Sequence, residues 1–549
     1  MEEYFEEKGF IIDVLNNRTF KGIVKVRGDK IEEIIEADVP EKNYILPGLI
    51  DAHVHVESSM LMPSEFARLV VAKGTVAVVS DPHEIANVLG ILGVELMIRN
   101  GKQTPLKFYF GAPSCVPATD FETSGEKLTP EDIDVLLKRD DIYFLSEMMN
   151  FPGVINQDKE VIEKINIAKK YGKKIDGHIT GVTGDNLKKY TDAGIETDHE
   201  CTSFEEAVEK IKRGVKIQIR EGSAAKNLEA LRPLFELYPG QIMLCTDDSH
   251  PDDLMKGHIN ALVKKALSKK EKLYNVLRAA CVNPVQHYGL DIGLLQQGHP
   301  ADFIVIDKPE SFKVLKTYIH GKKVFENDTI LFPPVKEDFS GYNKFRTSFI
   351  SDEEICVKTE DEKIKVIEAF DGELYTKMQV LEPKILNEYI APDVKRDILK
   401  VVVVNRYEND AVPVTGFIKG FGLKKGAIGG SIAHDSHNII AVGTSDKEIT
   451  AAVNYLITHK GGIVAVKGEE ITALPLEVAG LMTALDGKFV AEKYTRLNKK
   501  AKELGSPLKA PFMTLSFMSL LVIPELKIGD KGLFDISNFR LTNLSETSE

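Results

Sequence analysis

Eight short apolar runs, each followed by an amphipathic helical stretch, fill positions 48–290 and leave few folds open. They read GLIDAHVH, TVAVVS, LKFYFG, IYFLSE, KKIDGH, GIETDH, VKIQIR and QIMLCT. Such runs, alternating with helices, call for a parallel sheet whose faces the helices cover. Eight units in about 245 residues is the size of a TIM-like (β/α)8 barrel, so the predicted fold class is α/β. On either side the pattern returns to β-rich runs, FIIDVLN and GIVKVRGDKIEEII before the barrel and ADFIVIDK and FKVLKTYIHGKKVF after it. These predict a small antiparallel sheet composed of residues 1–47 plus 291–335, with the barrel, 48–290, inserted between its halves. The stretch LFPPVKEDFSGYN breaks the periodicity. Residues 346–549, with strands in ILKVVVVNR and GIVAVKG and helices in EITAAVNYLITH and AEKYTRLNKKAKELG, read as a C-terminal α/β or α+β domain.

Composition excludes several classes of function. Against 70 Lys+Arg stand 83 Asp+Glu, and the net charge of −13 includes no run of five or six basic residues. A nucleic-acid surface or an anionic-membrane surface is therefore not expected. Five scattered cysteines without a CxxC pair argue against a disulfide framework and against a thiolate zinc site. The acidic start MEEYFEEKGF lacks a signal-peptide pattern, and no apolar run is long enough to span a bilayer, so a soluble, cytoplasmic protein is expected.

The strongest chemical signal is Asp51-Ala52-His53-Val54-His55. On a strand, residues two apart share a face, so His53 and His55 can offer imidazoles to one metal ion. Four later strands also end in metal-binding side chains: Glu147, His178, His199 and Asp247. All of them fall at the C-terminal ends of strands, where barrel active sites are built. Alone, each would pass as a core or surface residue; in register around one barrel rim they form a site.

With these residues in place, PGLIDAHVHVESSM resembles the amidohydrolase superfamily. SDPHEIANVLG, GHITGVTGDNL, DHECTSFEEA, CTDDSHPDDL and, in the last domain, GGSIAHDSHNIIAVG and LPLEVAGLM resemble its adenine deaminase family. The resemblance spans nearly the whole chain. It implies a metal-dependent hydrolase of purine salvage that converts adenine and water to hypoxanthine and ammonia. It further implies that His53 and His55 bind the more buried of two divalent ions and that His178 and His199 bind the other. Glu147 would bridge them where many superfamily members use a carboxylated lysine. Asp247 would ligate a metal and take the proton of the attacking water, so that Asp247, Glu147 and His199 carry the catalysis. The donor set suits Mn²⁺, Fe²⁺ or Zn²⁺; the family points to Mn²⁺ or Fe²⁺. Adenine is the expected small-molecule partner, and a homo-oligomer, a dimer or larger, the expected assembly.

Other candidates have competing structural explanations. Asp248 is a candidate for holding the purine N7–H, although Asp248 and His250 also suit a helix cap. Glu57 and Ser58 are candidates to hydrogen-bond adenine, or are simply loop polarity. Asp81-Pro82-His83-Glu84 reads as a capping box, yet His83 and Glu84 sit on the active-site face and are candidates to touch substrate or metal. Ser203 to Glu206 is another capping box and is read as structural. His434 and His437 either cap the site from the last domain or serve a surface or structural role. His287, His299, His320 and His459 are read as structural. Glycines 416, 420, 422, 426, 429 and 430 match no phosphate loop, and the HxE with PCxxC signature of cytidine-type deaminases is absent. A cyclic amidase or another base deaminase would present the same ligands, and a non-catalytic scaffold would be expected to have lost some of them. Because a free base lacks ribose, exclusion of nucleosides calls for a closed pocket, with residues 346–549 as the candidate lid.

Overall fold

The structure is a computed structural model and describes residues 3–358 and 361–545. Its centre is a closed parallel barrel of eight strands: β1 Leu49–His55, β2 Thr75–Ser80, β3 Lys107–Phe110, β4 Phe144–Met148, β5 Lys174–Gly177, β6 Thr197–Asp198, β7 Lys216–Arg220 and β8 Ile242–Cys245. All eight coincide with the apolar runs. Closure is made by Asp247 and Asp248, just past β8, which pair in parallel with Val54 and His55 of β1. β6 is only two residues long and is tied to β5 by the Glu196 N–H bond to Ile175 O, 3.0 Å. The two strands approach closely because β5 ends in Gly177: a Cβ there would sit 2.4 Å from Thr197 O of β6. That glycine brings the ends of β5 and β6 together, and with them His178 and His199.

Strands from both sides of the barrel in sequence share one eight-stranded sheet. Its inner core holds Ile11, Val24, Val26, Ile45, Phe303, Val305 and Tyr318. The sheet is not wholly antiparallel as expected. Tyr44–Pro47 runs parallel to Tyr4–Asp13 and antiparallel to Phe303–Ile306. This segment is the chain's entry to the barrel, so its direction is set by β1 rather than by a hairpin.

The C-terminal region forms a second eight-stranded sheet, in which Leu399–Val404 and Ala427–Ala433 each flank Asn438–Gly443. Helix Asp446–Thr458, capped by Ser445, packs on that sheet. Helices Gly487–Glu503 and Pro511–Ser516 and a three-stranded sheet beginning at Leu526–Gly529 complete the domain. It is bonded to the barrel rim: Thr483 N donates to Met60 O at 2.9 Å and Met62 N to Thr483 O at 3.2 Å. Glycines 416, 429 and 430 lie within strands of this sheet. No helix among the described residues is long and apolar enough to cross a membrane.

A buried ion cluster fixes the ends of β5 and β6. Lys210, fully buried on helix Phe204–Lys212, donates to Asp198 and Glu206, both at 2.8 Å. Asp198 in turn accepts from Ile179 N at 2.9 Å, next to His178, and precedes His199. Lys210→Met strands two buried carboxylates, and removing one partner of a buried ion pair costs about 3–5 kcal/mol. Urea denaturation is expected to show a loss of that size; a loss near zero would mean that the carboxylates find other partners.

Candidate active site

The strand-end residues named from the sequence converge at the C-terminal rim of the barrel. His53 and His55 meet edge-on with ring centroids 4.8 Å apart, and His53 stacks on His199 at 4.1 Å. Glu147 lies among the four imidazoles. Its Oε2 is 3.0 Å from His178 Nδ1 and 3.0 Å from His199 Nε2, while its Oε1 is 3.3 Å from His55 Nε2. Asp247 Oδ1 stands 3.1 Å from His55 Nε2 and 3.6 Å from His53 Nε2. All six residues are buried.

Asp247 is held in an unusual way. Its φ of 55° lies in the left-handed region that non-glycine residues seldom adopt, a conformation that persists only where its surroundings enforce it. Its Oδ2 accepts from Arg220 at the end of β7, which also donates to Glu200. Burial alone would raise the Asp247 carboxyl, but Arg220, His53 and His55 outweigh it and hold it well below the usual carboxylate range. Neighbouring Asp51 accepts from the Thr246 side chain and backbone and faces His258 Nε2 at 2.9 Å, locking β1 to β8.

Several buried ligand atoms here have no hydrogen-bond partner: both nitrogens of His53 and both carboxylate oxygens of Asp81. Buried polar groups are nearly always paired, so this concentration of orphans is the mark of a cation site. Nitrogen and carboxylate donors without a thiolate fit a borderline or hard divalent ion. Among the described residues five groups of His, Asp and Glu lie close enough to hold a metal, and four of them include residues named above.

The expected capping box at Asp81 to Glu84 does not form. Helix His83–Leu89 has no side-chain cap from Asp81, whose carboxylate instead faces His83 Nδ1 at 3.1 Å. The helix is served from outside: Glu57 accepts from Ile85 N at 3.2 Å. Burial, with Glu84 beside it, pushes Glu57 up to about 8. His83 reaches to 3.6 Å from Glu147 Oε1, alongside the metal-binding atoms. Ser203 does cap its helix, accepting from Glu206 N.

Ser58, Glu84 and Asp248 form a second polar group on the same rim. Ser58 Oγ is 2.7 Å from Glu84 Oε1 and 2.5 Å from Asp248 Oδ1. His434, from the C-terminal domain, joins Glu84 and Asp248 in one cluster. Burial would lower the His434 imidazole, but Glu84, Asp435 and Asp248 overcome it and bring it to about 9. A surface position for His434 and His437 is therefore overturned: both are buried, and His437 faces Glu84 at 3.9 Å. Nor does His250 act as a side-chain cap; its Nδ1 pairs with the Tyr494 hydroxyl across the domain contact, and burial lowers it to about 3.

Glu200, Arg220, Asp81 and Asp435 belong to the site and were not singled out from the sequence. Glu200 approaches His199 Nε2 at 3.5 Å, and Asp435 faces His83 Nε2 at 3.7 Å.

A barrel of parallel strands with a buried imidazole–carboxylate cluster at its C-terminal rim defines a metal-dependent hydrolase, and the chain belongs to the amidohydrolase family, whose model matches residues 44–324. Residues 373–540 match the adenine deaminase C-terminal domain. The chain is 54% identical to an adenine deaminase of Methanosarcina mazei, covering 98% of both chains. It is 52% identical to that of Sulfurovum sp. over 97% of this chain and 98% of the relative, and 46% identical to that of Borreliella burgdorferi over 98% and 99%. Within its family the chain therefore stands with the adenine deaminases.

Proposed function

We propose that the chain hydrolyses adenine to hypoxanthine and ammonia at the rim of the barrel. The observation that carries this reading is Glu147 set among four imidazoles, with Asp247 beside them and Asp248, Ser58 and Glu84 on the same rim. His53, His55, His178, His199, Glu147 and Asp247 would hold two divalent ions, with Glu147 between them. Bound divalent ions acidify water and so supply a nucleophile near neutral pH. Mn²⁺ or Fe²⁺ is the native metal on this reading, ahead of Zn²⁺, and the active form is a homo-oligomer acting on free base.

The side chains divide the remaining work. Asp247, ionised and anchored through one oxygen to Arg220, presents the other to the reacting water. It accepts the proton as C6 becomes tetrahedral and returns it to the departing amine. Asp248 and Glu84, joined through Ser58, meet the purine's ring nitrogens and fix which carbon faces Asp247. His83, placed between Asp81, Glu147 and Asp435, supports the metal side of the pocket. The products balance: water contributes its oxygen to C6, and nitrogen leaves as ammonia.

The test is ammonia release from adenine by metal-free protein reloaded separately with Mn²⁺, Fe²⁺ and Zn²⁺. Turnover is expected at two ions per chain, highest with Mn²⁺ or Fe²⁺, and none in the chelated protein. No release from protein that holds two ions would move the substrate to another cyclic amidine or amide.

A further inference from the structure

One wall of the candidate site does not come from the barrel. Leu374, His434, Asp435, Phe517 and Leu520 of the C-terminal domain face the imidazoles and carboxylates across a cavity of about 20 Å³. A space of that size holds about one water molecule. The space between the barrel rim and this wall is therefore narrow, and a purine seated on the rim is pressed against the wall. The barrel side is pinned by Arg220 to Glu200 and Asp247 and by Ser58 to Asp248. The opposite side is apolar apart from His434 and Asp435, and its chief element is an aromatic pair: Phe517 stacks on His434 with ring centroids 4.5 Å apart and 14° between planes.

That wall has its own support. His434 N donates to Ser516 O at 3.1 Å. Lys527, on strand Leu526–Gly529, is fully buried, and its Nζ donates to Leu374 O at 2.6 Å and Phe517 O at 3.0 Å. Its bonded acceptors are two backbone carbonyls, and burial lowers its ammonium to about 7. Burying a lysine without a carboxylate is costly, so its two bonds to the residues that line the pocket mark a positioning role.

We propose that the Phe517–His434 pair, held in place by Lys527, is the specificity wall of this site and restricts it to purines unsubstituted on the edge remote from C6. This rests on the reading of adenine as substrate. C6 must face Asp247 and Glu147. The far edge of the base, which carries N3 and N9, then meets Phe517 and Leu520. In a nucleoside N9 bears ribose, and the wall stands where that sugar would lie. Lys527 does not meet the base itself and acts only through the carbonyls of Leu374 and Phe517.

The experiment compares kcat/KM for adenine with that for 9-methyladenine and adenosine, in wild type and in Phe517→Ala, Phe517→Leu, Leu520→Ala and Lys527→Met, each assayed with its metal content measured. In the alanine variants the ratio of 9-methyladenine to adenine is expected to rise by about tenfold or more, the discrimination that one or two apolar contacts supply. Lys527→Met is expected to raise KM for adenine several-fold more than it lowers kcat. Should Phe517→Ala fail to fold, Phe517→Leu and Leu520→Ala carry the same test. A ratio unchanged in folded variants that hold two metals, with wild type active on adenine, overturns the wall alone. A wild type inert toward adenine overturns the substrate reading instead.

Discussion

Asp247→Asn lowers kcat for adenine by about 10³–10⁴, the upper range of what positioned proton transfer contributes, and leaves the fold intact. The amide keeps the size of the side chain, and its oxygen can still accept from Arg220. What it loses is an oxygen able to take a proton at the position now 3.1 Å from His55 Nε2. The charge of Arg220 would then be balanced by Glu200 alone of its two present carboxylate partners. A modest loss of stability is therefore expected alongside the large loss of turnover. The measurement is kcat at saturating adenine with metal content and thermal midpoint determined on the same preparation. A variant that holds two ions and turns over within tenfold of wild type would remove Asp247 from proton transfer and leave it as a ligand only. Arg220→Met serves as the companion. It keeps the carboxylate but removes the charge that holds its pKa down, so the acid limb of the pH profile should move to higher pH while the metal content holds.

The barrel was legible in the sequence because short strand-like runs, several of them nearly continuous in apolar residues such as TVAVVS and QIMLCT, recur between amphipathic helices. Even β6, two residues long, was marked by the spacing of GIETDH. His53 and His55 were singled out as two histidines on one face of a strand, and Glu147, His178, His199 and Asp247 by the rule that a metal-binding side chain should end a strand. The same rule passed over Arg220, which ends β7 but is a cation, and Glu200, which follows a strand-end histidine by one residue. Asp81 was hidden behind a capping pattern that its neighbours satisfy in letters but not in geometry, since the helix takes its cap from Glu57. Asp435 had no local signature, and His434 was a candidate whose surface or structural alternative the sequence left open. Their place depends on how strand Ala427–Ala433 of a second sheet, more than 180 residues further along the chain than β8, settles on the rim, and no period or spacing reports that. The parallel pairing of Tyr44–Pro47 was missed for a related reason: strand direction there is imposed by the barrel that follows it.

Glu147→Gln separates the role of a charge from that of a shape. Its carboxylate is the negative group common to His178, His199 and His55, and an amide in its place would direct an N–H at one of those nitrogens. Bound metal is expected to fall from two ions per chain to one or none, with activity reduced by at least about 10³, because catalysis of this kind depends on a metal pair held in one geometry. The metal-free protein offers an independent readout. Burial pushes the His178 imidazole down, yet Glu200 and Glu147 outweigh it and lift it to about 9. At pH 8 the wild-type ring therefore carries a proton that a metal ion must displace, and binding releases it. In the Glu147→Gln variant the opposing charge is gone, burial regains weight, and His178 moves toward the neutral form before any metal arrives. Proton release on addition of Mn²⁺ at pH 8, measured in weakly buffered solution per ion bound, should thus be smaller in the variant than in wild type. Equal release, with two ions retained, would show that Glu147 is not the bridge, and would shift that role to Glu200, which stands 3.5 Å from His199 and 3.8 Å from His178.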